Sequence, residues 1–124
     1  MRPFGELEAD IMRVVWARGE PLSIQQITDA LNEQRPLAYT TVMTVTERLR
    51  GKGWLERAKQ GRSYRYSPLR SADDYTAELM EQVLESSTDR ASALLRFAGR
   101  LDASEAAALR AALDDMTPDP GTDR

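Results

Sequence analysis

A chain of 124 residues, 41% hydrophobic and 30% charged, has room for one domain, or for one small domain with an appended assembly element. It contains no cysteine and no histidine, which removes disulfides, thiolate nucleophiles, zinc fingers and every Ser-His or Cys-His catalytic pairing together. Its net charge of -3 is unevenly spread: residues 1–68 carry 11 Lys and Arg against 8 Asp and Glu, whereas residues 69–124 carry 6 against 12.

From Gly5 to Arg18 the apolar residues Leu7, Ile11, Val14 and Val15 recur at helical spacing, and Gly19 with Pro21 supplies the stop. Ser23 stands three residues before Gln26, a capping-box spacing, and heads a short second helix with Ile24, Ile27 and Leu31 on one face, ending near Glu33. Pro36 pushes Arg35 out of the helical region, so a third helix begins afresh near Ala38. At 100° per residue Val42, Val45, Thr46 and Leu49 make its buried stripe, and Thr40, Met43, Thr44, Glu47 and Arg48 fall on the other side. Threonine is a mediocre helix former, so a helix that exposes Thr40, Thr41 and Thr44 gives up propensity. Their hydroxyl and methyl groups suit base edges in a major groove.

The third helix stops at Gly51-Lys52-Gly53. Trp54 to Ala58 reads as a strand, Lys59-Gln60-Gly61-Arg62 as a turn, and Ser63 to Ser67 as the returning strand, closed by Pro68. Tyr64 and Tyr66 share one face and, with Leu55, are expected to pack on the helices; Trp16 and Trp54 are expected in the same core. Between Arg35 and Tyr66 there are 8 basic residues against 2 acidic ones, a strongly positive window inside an acidic protein. Three short helices and a basic hairpin in that order predict a winged helix-turn-helix that binds DNA.

Beyond Ser71 the pattern is helical only. Ser71 caps a helix with Asp73 and Asp74 in its first turn and an apolar stripe of Tyr75, Leu79, Met80, Val83 and Leu84. A short helix from Arg90 to Gly99 presents Leu94, Leu95, Phe97 and Ala98, and Asp102-Ala103-Ser104-Glu105 starts another that carries Ala106, Leu109, Ala112, Leu113 and Met116. Such faces need a partner, and a second copy of the chain is the simplest one. The expected fold is therefore mainly α: an α+β winged helix-turn-helix over residues 1–69, a C-terminal all-helical dimerisation region over 70–116, and a disordered tail over 117–124.

Asp73-Asp74 and Asp114-Asp115 read as helix-terminal carboxylates, so no catalytic residue, metal or cofactor is expected. No apolar run approaches the roughly 20 residues of a membrane span. Met1-Arg2-Pro3-Phe4 leads into a charged helix without a signal-peptide core, and a cytoplasmic protein that does not meet a membrane is expected.

The chain resembles the penicillinase-repressor (BlaI/MecI) family of bacterial transcription regulators from about Gly5 to Met116. The resemblance lies in Leu7-Glu8-Ala9-Asp10-Ile11-Met12 with Val15-Trp16, in Thr40-Thr41-Val42-Met43-Thr44 running to Arg48-Leu49, in Lys52-Gly53, and in Gly61-Arg62 leading to Tyr64-Arg65-Tyr66-Ser67-Pro68. It implies a homodimer whose winged helices sit on a palindromic operator of the TACA/TGTA kind and repress β-lactamase or related genes. By the same resemblance Thr40, Thr41, Met43 and Thr44 meet bases or nearby phosphates, Arg48 grips phosphate, and Lys59 and Arg62 of the wing hold the backbone or minor groove. Some family repressors are released when a regulatory protease cuts an Asn-Phe bond in the helical region. The matching pair here is Arg96-Phe97, which keeps the Phe and lacks the Asn. The copper-responsive branch of the superfamily releases DNA through cysteines, and this chain has none.

Two other readings stay open on the sequence alone: a winged helix used as a protein-interaction module without DNA binding, and a ligand-gated regulator of another winged-helix family.

Overall fold

The structure, a computed structural model, describes residues 3–116; the tail expected to be disordered lies outside the described residues. Six helices and one hairpin follow in the order α1 (Glu6–Arg18), α2 (Ile24–Asn32), α3 (Tyr39–Gly51), β1 (Leu55–Gln60), β2 (Ser63–Pro68), α4 (Ala72–Glu85), α5 (Arg90–Ala98) and α6 (Ala103–Met116). Two compact units divide the chain, residues 1–82 and 83–124.

The first unit is built on one apolar core. α1 contributes Ile11, Met12 and Val15, α2 contributes Ile24, Ile27 and Leu31, α3 contributes Val42 and Leu49, and Leu22, Trp54, Leu55 and Tyr66 close it. Two threonines lie inside this core because each satisfies its hydroxyl on its own helix: Thr28 donates to the Ile24 carbonyl at 2.8 Å and Thr46 to the Val42 carbonyl at 2.7 Å. The stops are as the glycines dictate, with Gly19 at φ 70°, Gly53 at φ 87° and Gly61 at φ 65°. Ser23 accepts from the Gln26 amide while the Gln26 side chain accepts from the Ser23 amide, so the expected capping box opens α2. Reciprocal bonds of the same kind join Ser71 with Asp74 at the start of α4.

β1 and β2 pair antiparallel from Leu55↔Pro68 to Gln60↔Ser63, leaving Gly61-Arg62 as a two-residue loop. The pairing thus reaches Pro68 and the turn is tighter than the four residues expected. A hairpin of this size is marginal alone. Here Leu22 and Tyr66 exchange both backbone hydrogen bonds, at 3.0 and 2.7 Å, so the α1–α2 connection lies against β2 as a one-residue third strand. Only Leu55 of β1 and Tyr66 of β2 are buried, and the far half of the wing stands in solvent. Tyr64, expected in the core with Tyr66, is 40% exposed: two residues further along the strand the hairpin has already left the footprint of the helices.

The first unit runs past residue 69 and takes in most of α4, because Tyr75 belongs to an aromatic cluster. Its ring stacks on Phe4 at 4.1 Å between centroids and meets Trp54 edge-on at 5.5 Å, and its hydroxyl accepts the Phe4 amide at 2.7 Å. Trp16 lies at the side of this cluster and donates its indole N–H to the Arg70 carbonyl at 2.8 Å. Tyr75, placed in the dimer stripe by sequence, is therefore engaged within its own chain, since its polar tip and its face both find partners there.

The second unit comprises the end of α4 with α5 and α6. Asp89 caps α5 by accepting from the Ser92 amide at 3.1 Å, and Asp102 and Glu105 form the reciprocal pair that opens α6. Neither α5 nor α6 has a buried residue, and Leu94, Leu95, Phe97, Leu109, Leu113 and Met116 are all exposed.

Glu8 is the one buried carboxylate of α1. It accepts the Gly5 amide at 2.9 Å and the Lys52 ammonium at 2.8 Å, tying the start of α1 to the end of α3. Burial raises its pKa, but the hydrogen bonds from Lys52 and Gly5 and the charges of Lys52 and Arg48 outweigh burial and hold the carboxyl below the ordinary glutamate value. A carboxyl lowered in the folded state stabilises above its unfolded pKa and loses that contribution as pH falls through the folded one. Glu8→Gln is expected to cost about 1 kcal/mol at pH 7 and to flatten the loss of stability below about pH 4.5, read from urea midpoints across pH. Parallel pH profiles for the two proteins would remove Glu8 from the acid limb.

Candidate nucleic-acid interface

α3 and the wing face each other across an open groove of about 720 Å³, lined by Tyr39, Met43, Thr44 and Glu47 of α3, Arg57 of β1, Arg62 of the loop, and Ser63 to Tyr66 of β2, with Ser23, Ile24 and Gln25 at its edge. The helix reaches it because Val42, Thr46 and Leu49 fix the opposite face in the core. Of the residues expected to contact DNA, Met43, Thr44 and Arg62 line the groove together. Thr40, Thr41, Arg48 and Lys59 lie outside it on exposed surface. Thr44 spends its hydroxyl proton on the Thr40 carbonyl at 2.9 Å, so it offers acceptor lone pairs and a methyl group to whatever enters the groove.

The charges divide into two sets. Arg48, Lys59 and Arg62 form no ion pair among the described residues and keep their charge for a ligand. Arg65 is held by two neutral acceptors, Gln60 Oε1 at 3.0 Å and Gln26 Oε1 at 2.6 Å, which orient the guanidinium without cancelling it. Arg50 and Arg57, by contrast, both converge on Glu47, each with a guanidinium nitrogen 3.0 Å from Oε1. The other oxygen, Oε2, accepts the Tyr66 hydroxyl. The Arg57 guanidinium carbon also sits over the Tyr64 ring, 4.1 Å from its centroid.

Burial raises the Glu47 carboxyl, and the bonds from Tyr66 and Arg50 and the charges of Arg50 and Arg57 bring it below the ordinary value. The phenol of Tyr66 is pushed up, first by burial and then by the carboxylate it faces. Tyr39, Glu47, Arg57, Tyr64 and Arg65 were not among the expected contacts. A signal for Arg57 lies in the hairpin register: a two-residue loop at Gly61-Arg62 sets Arg57 opposite Tyr66 and diagonal to Tyr64.

The sequence pattern of a family described as penicillinase repressor matches residues 4–115. The chain belongs to that family. The transcriptional regulator BlaI of Mycobacterium tuberculosis is 42% identical over 115 residues, spanning 90% of this chain and 83% of the regulator. Among solved structures, the DNA-binding domain of the repressor BlaI superposes with a TM-score of 0.52 at 26% identity, over 58% of this chain and 87% of that domain. The monomeric form of Bacillus licheniformis BlaI in complex with the blaP half-operator gives 0.50 at 26%, over 60% of this chain and 89% of that one. The resemblance in the sequence and the winged-helix fold class are both borne out by these matches. The penicillinase-repressor resemblance also pointed to Arg96-Phe97 as a cleavage pair; that bond lies in the last turn of α5, in helical conformation, with Phe97 exposed.

The wing tip depends on Gly61. At φ 65° an added Cβ meets no atom within 4 Å, so the cost of a side chain there is backbone strain alone. Gly61→Ala is expected to lower stability by about 1 kcal/mol and Gly61→Asn by less, because Asn tolerates the left-handed region. Equal urea midpoints for Gly, Ala and Asn at this position would contradict that.

Proposed function

We propose that this chain is a sequence-specific DNA-binding transcriptional repressor that places α3 in the major groove, lays the wing on the flanking backbone, and occupies a palindromic operator as a homodimer. The observation that carries it is the groove in which Met43 and Thr44 face Arg62 and the oriented Arg65, in a chain whose family includes a repressor solved on its half-operator. Thr40, Thr41, Met43 and Thr44 serve bases and nearby phosphates, with methyl and hydroxyl groups matched to thymine and to base-edge donors. Arg48, Lys59 and Arg62 neutralise phosphate and position the protein without reading sequence. The exposed Met80, Val83, Leu94, Leu95, Phe97, Leu109 and Leu113, with the half-buried Leu79 and Leu84, make the seam with a second copy. Leu95 alone is 75% exposed, and an acidic unit bearing such side chains needs cover. The regulated genes are β-lactamase or related ones, as the family's description suggests. Among the described residues no helix is long and apolar enough to cross a membrane.

Thr44→Ala is expected to lose about 1 to 3 kcal/mol of discrimination between the preferred duplex and random sequence, while Arg62→Ala weakens both duplexes alike. Fluorescence anisotropy on a duplex selected from a random library checks this; equal effects of the two variants on both duplexes would sink the division of roles. For assembly, Leu95→Asp removes an apolar group already in solvent in the single chain, so it spares the fold. It should give monomers by light scattering, and a variant that stays dimeric places the seam elsewhere.

A further inference from the structure

Glu47 is an anomaly on a surface read as the DNA face. A carboxylate beside phosphates costs affinity, and its usual use there is to accept from the amino group of cytosine. Most of that capacity in Glu47 is already committed. Oε1 takes both Arg50 and Arg57, and Oε2 takes the Tyr66 hydroxyl, so both oxygens have protein donors before any ligand arrives. The three partners come from three elements: Arg50 lies on α3 itself, whereas Arg57 and Tyr66 are the directly opposed pair of β1 and β2. Glu47 is half-buried between them, and Arg57 is further immobilised on Tyr64.

We propose that Glu47 is a positioning residue that sets sequence discrimination: it pins the wing to α3 through Tyr66 and Arg57, and it withholds the Arg50 and Arg57 charges from the phosphate backbone. The inference rests on the reading that DNA lies on this face. Binding that does not depend on sequence comes from phosphate neutralisation, and each phosphate contact adds about 0.9 to the slope of log affinity against log salt. A surface with every basic residue free would hold all duplexes tightly. Offsetting one of the two guanidinium charges, and holding both side chains on the same carboxylate, lowers that background, while the wing stays pinned to α3 for the duplex that fits it.

The test is a salt titration of random and library-selected duplexes with wild type, Glu47→Gln, Arg57→Gln, the double variant and Arg62→Gln. Glu47→Gln should bind random duplex roughly three- to tenfold more tightly at low salt, with a slope steeper by about 1 to 2, and should lose preference for the selected sequence. Arg57→Gln should subtract about 1 from the slope in the Glu47→Gln background and much less when Glu47 is present. A merely structural glutamate would lower the melting temperature and weaken both duplexes without that coupling, and this result overturns the proposal. If Glu47→Gln does not fold, Arg57→Gln alone decides: a slope loss as large as that of Arg62→Gln overturns the proposal, and a much smaller one supports it. An Arg62→Gln slope unchanged on either duplex would instead remove DNA from this face altogether. That failure is distinct from a normal Arg62 response with an unmoved Glu47→Gln slope, which sinks the inference alone.

Discussion

The two backbone hydrogen bonds exchanged by Leu22 and Tyr66 are what the recognition surface depends on. Without them β1 and β2 are held to the helices by side chains alone, and a hairpin of this size is marginal in water. With them the connection between α1 and α2 becomes a sheet edge, Tyr66 enters the core, and the strand pair acquires a fixed direction relative to α3. Everything the groove offers follows from that direction. Arg62 and Arg65 reach it because β2 is anchored at Tyr66, the residue after Arg65, and from that anchor the Tyr66 hydroxyl donates to Glu47 of α3.

Local chemistry made much of the fold legible. Ser23-Gln26 and Asp102-Glu105 marked helix starts by spacing, Ser71 marked another as a cap ahead of Asp73-Asp74, and the glycines marked the ends, because capping and left-handed backbone are short-range effects. The stripe of Val42, Thr46 and Leu49 likewise follows from helical period. What the chain hid was longer-range. Tyr64 and Tyr66 alternate identically in sequence, yet one is buried and the other is not, since burial depends on how far the helices extend beneath the strand. Tyr75 shares the period of Leu79 and Val83 but lies against Phe4 and Trp54, partners remote from it in sequence. The pairing of Glu47 with Arg50 is a readable i, i+3 contact, whereas its contacts with Arg57 and Tyr66 need the hairpin register and its placement together.

Charge in the first unit is organised by pairing as much as by composition. Eight basic residues between Arg35 and Tyr66 suggest a uniformly positive patch. In the folded chain Arg35 bonds Glu6 and Asp10, Lys52 bonds Glu8, and Arg50 and Arg57 bond Glu47. The field that remains comes from Arg48, Lys59, Arg62 and Arg65, four residues spread from the recognition helix to the wing, and from the one charge left over where Arg50 and Arg57 share Glu47. A count of lysines and arginines therefore overstates the number of phosphates such a surface engages.

The stack of Phe4 on Tyr75 closes the first unit like a clasp, since it joins the beginning of the chain to a helix that starts after the wing has ended. A fragment cut at Pro68, the apparent boundary of the motif, would lose the ring that covers Phe4 and flanks Trp16 and Trp54. Excision of the DNA-reading half at that point leaves a sticky aromatic wound, and the indole emission of the fragment would shift toward that of tryptophan in water.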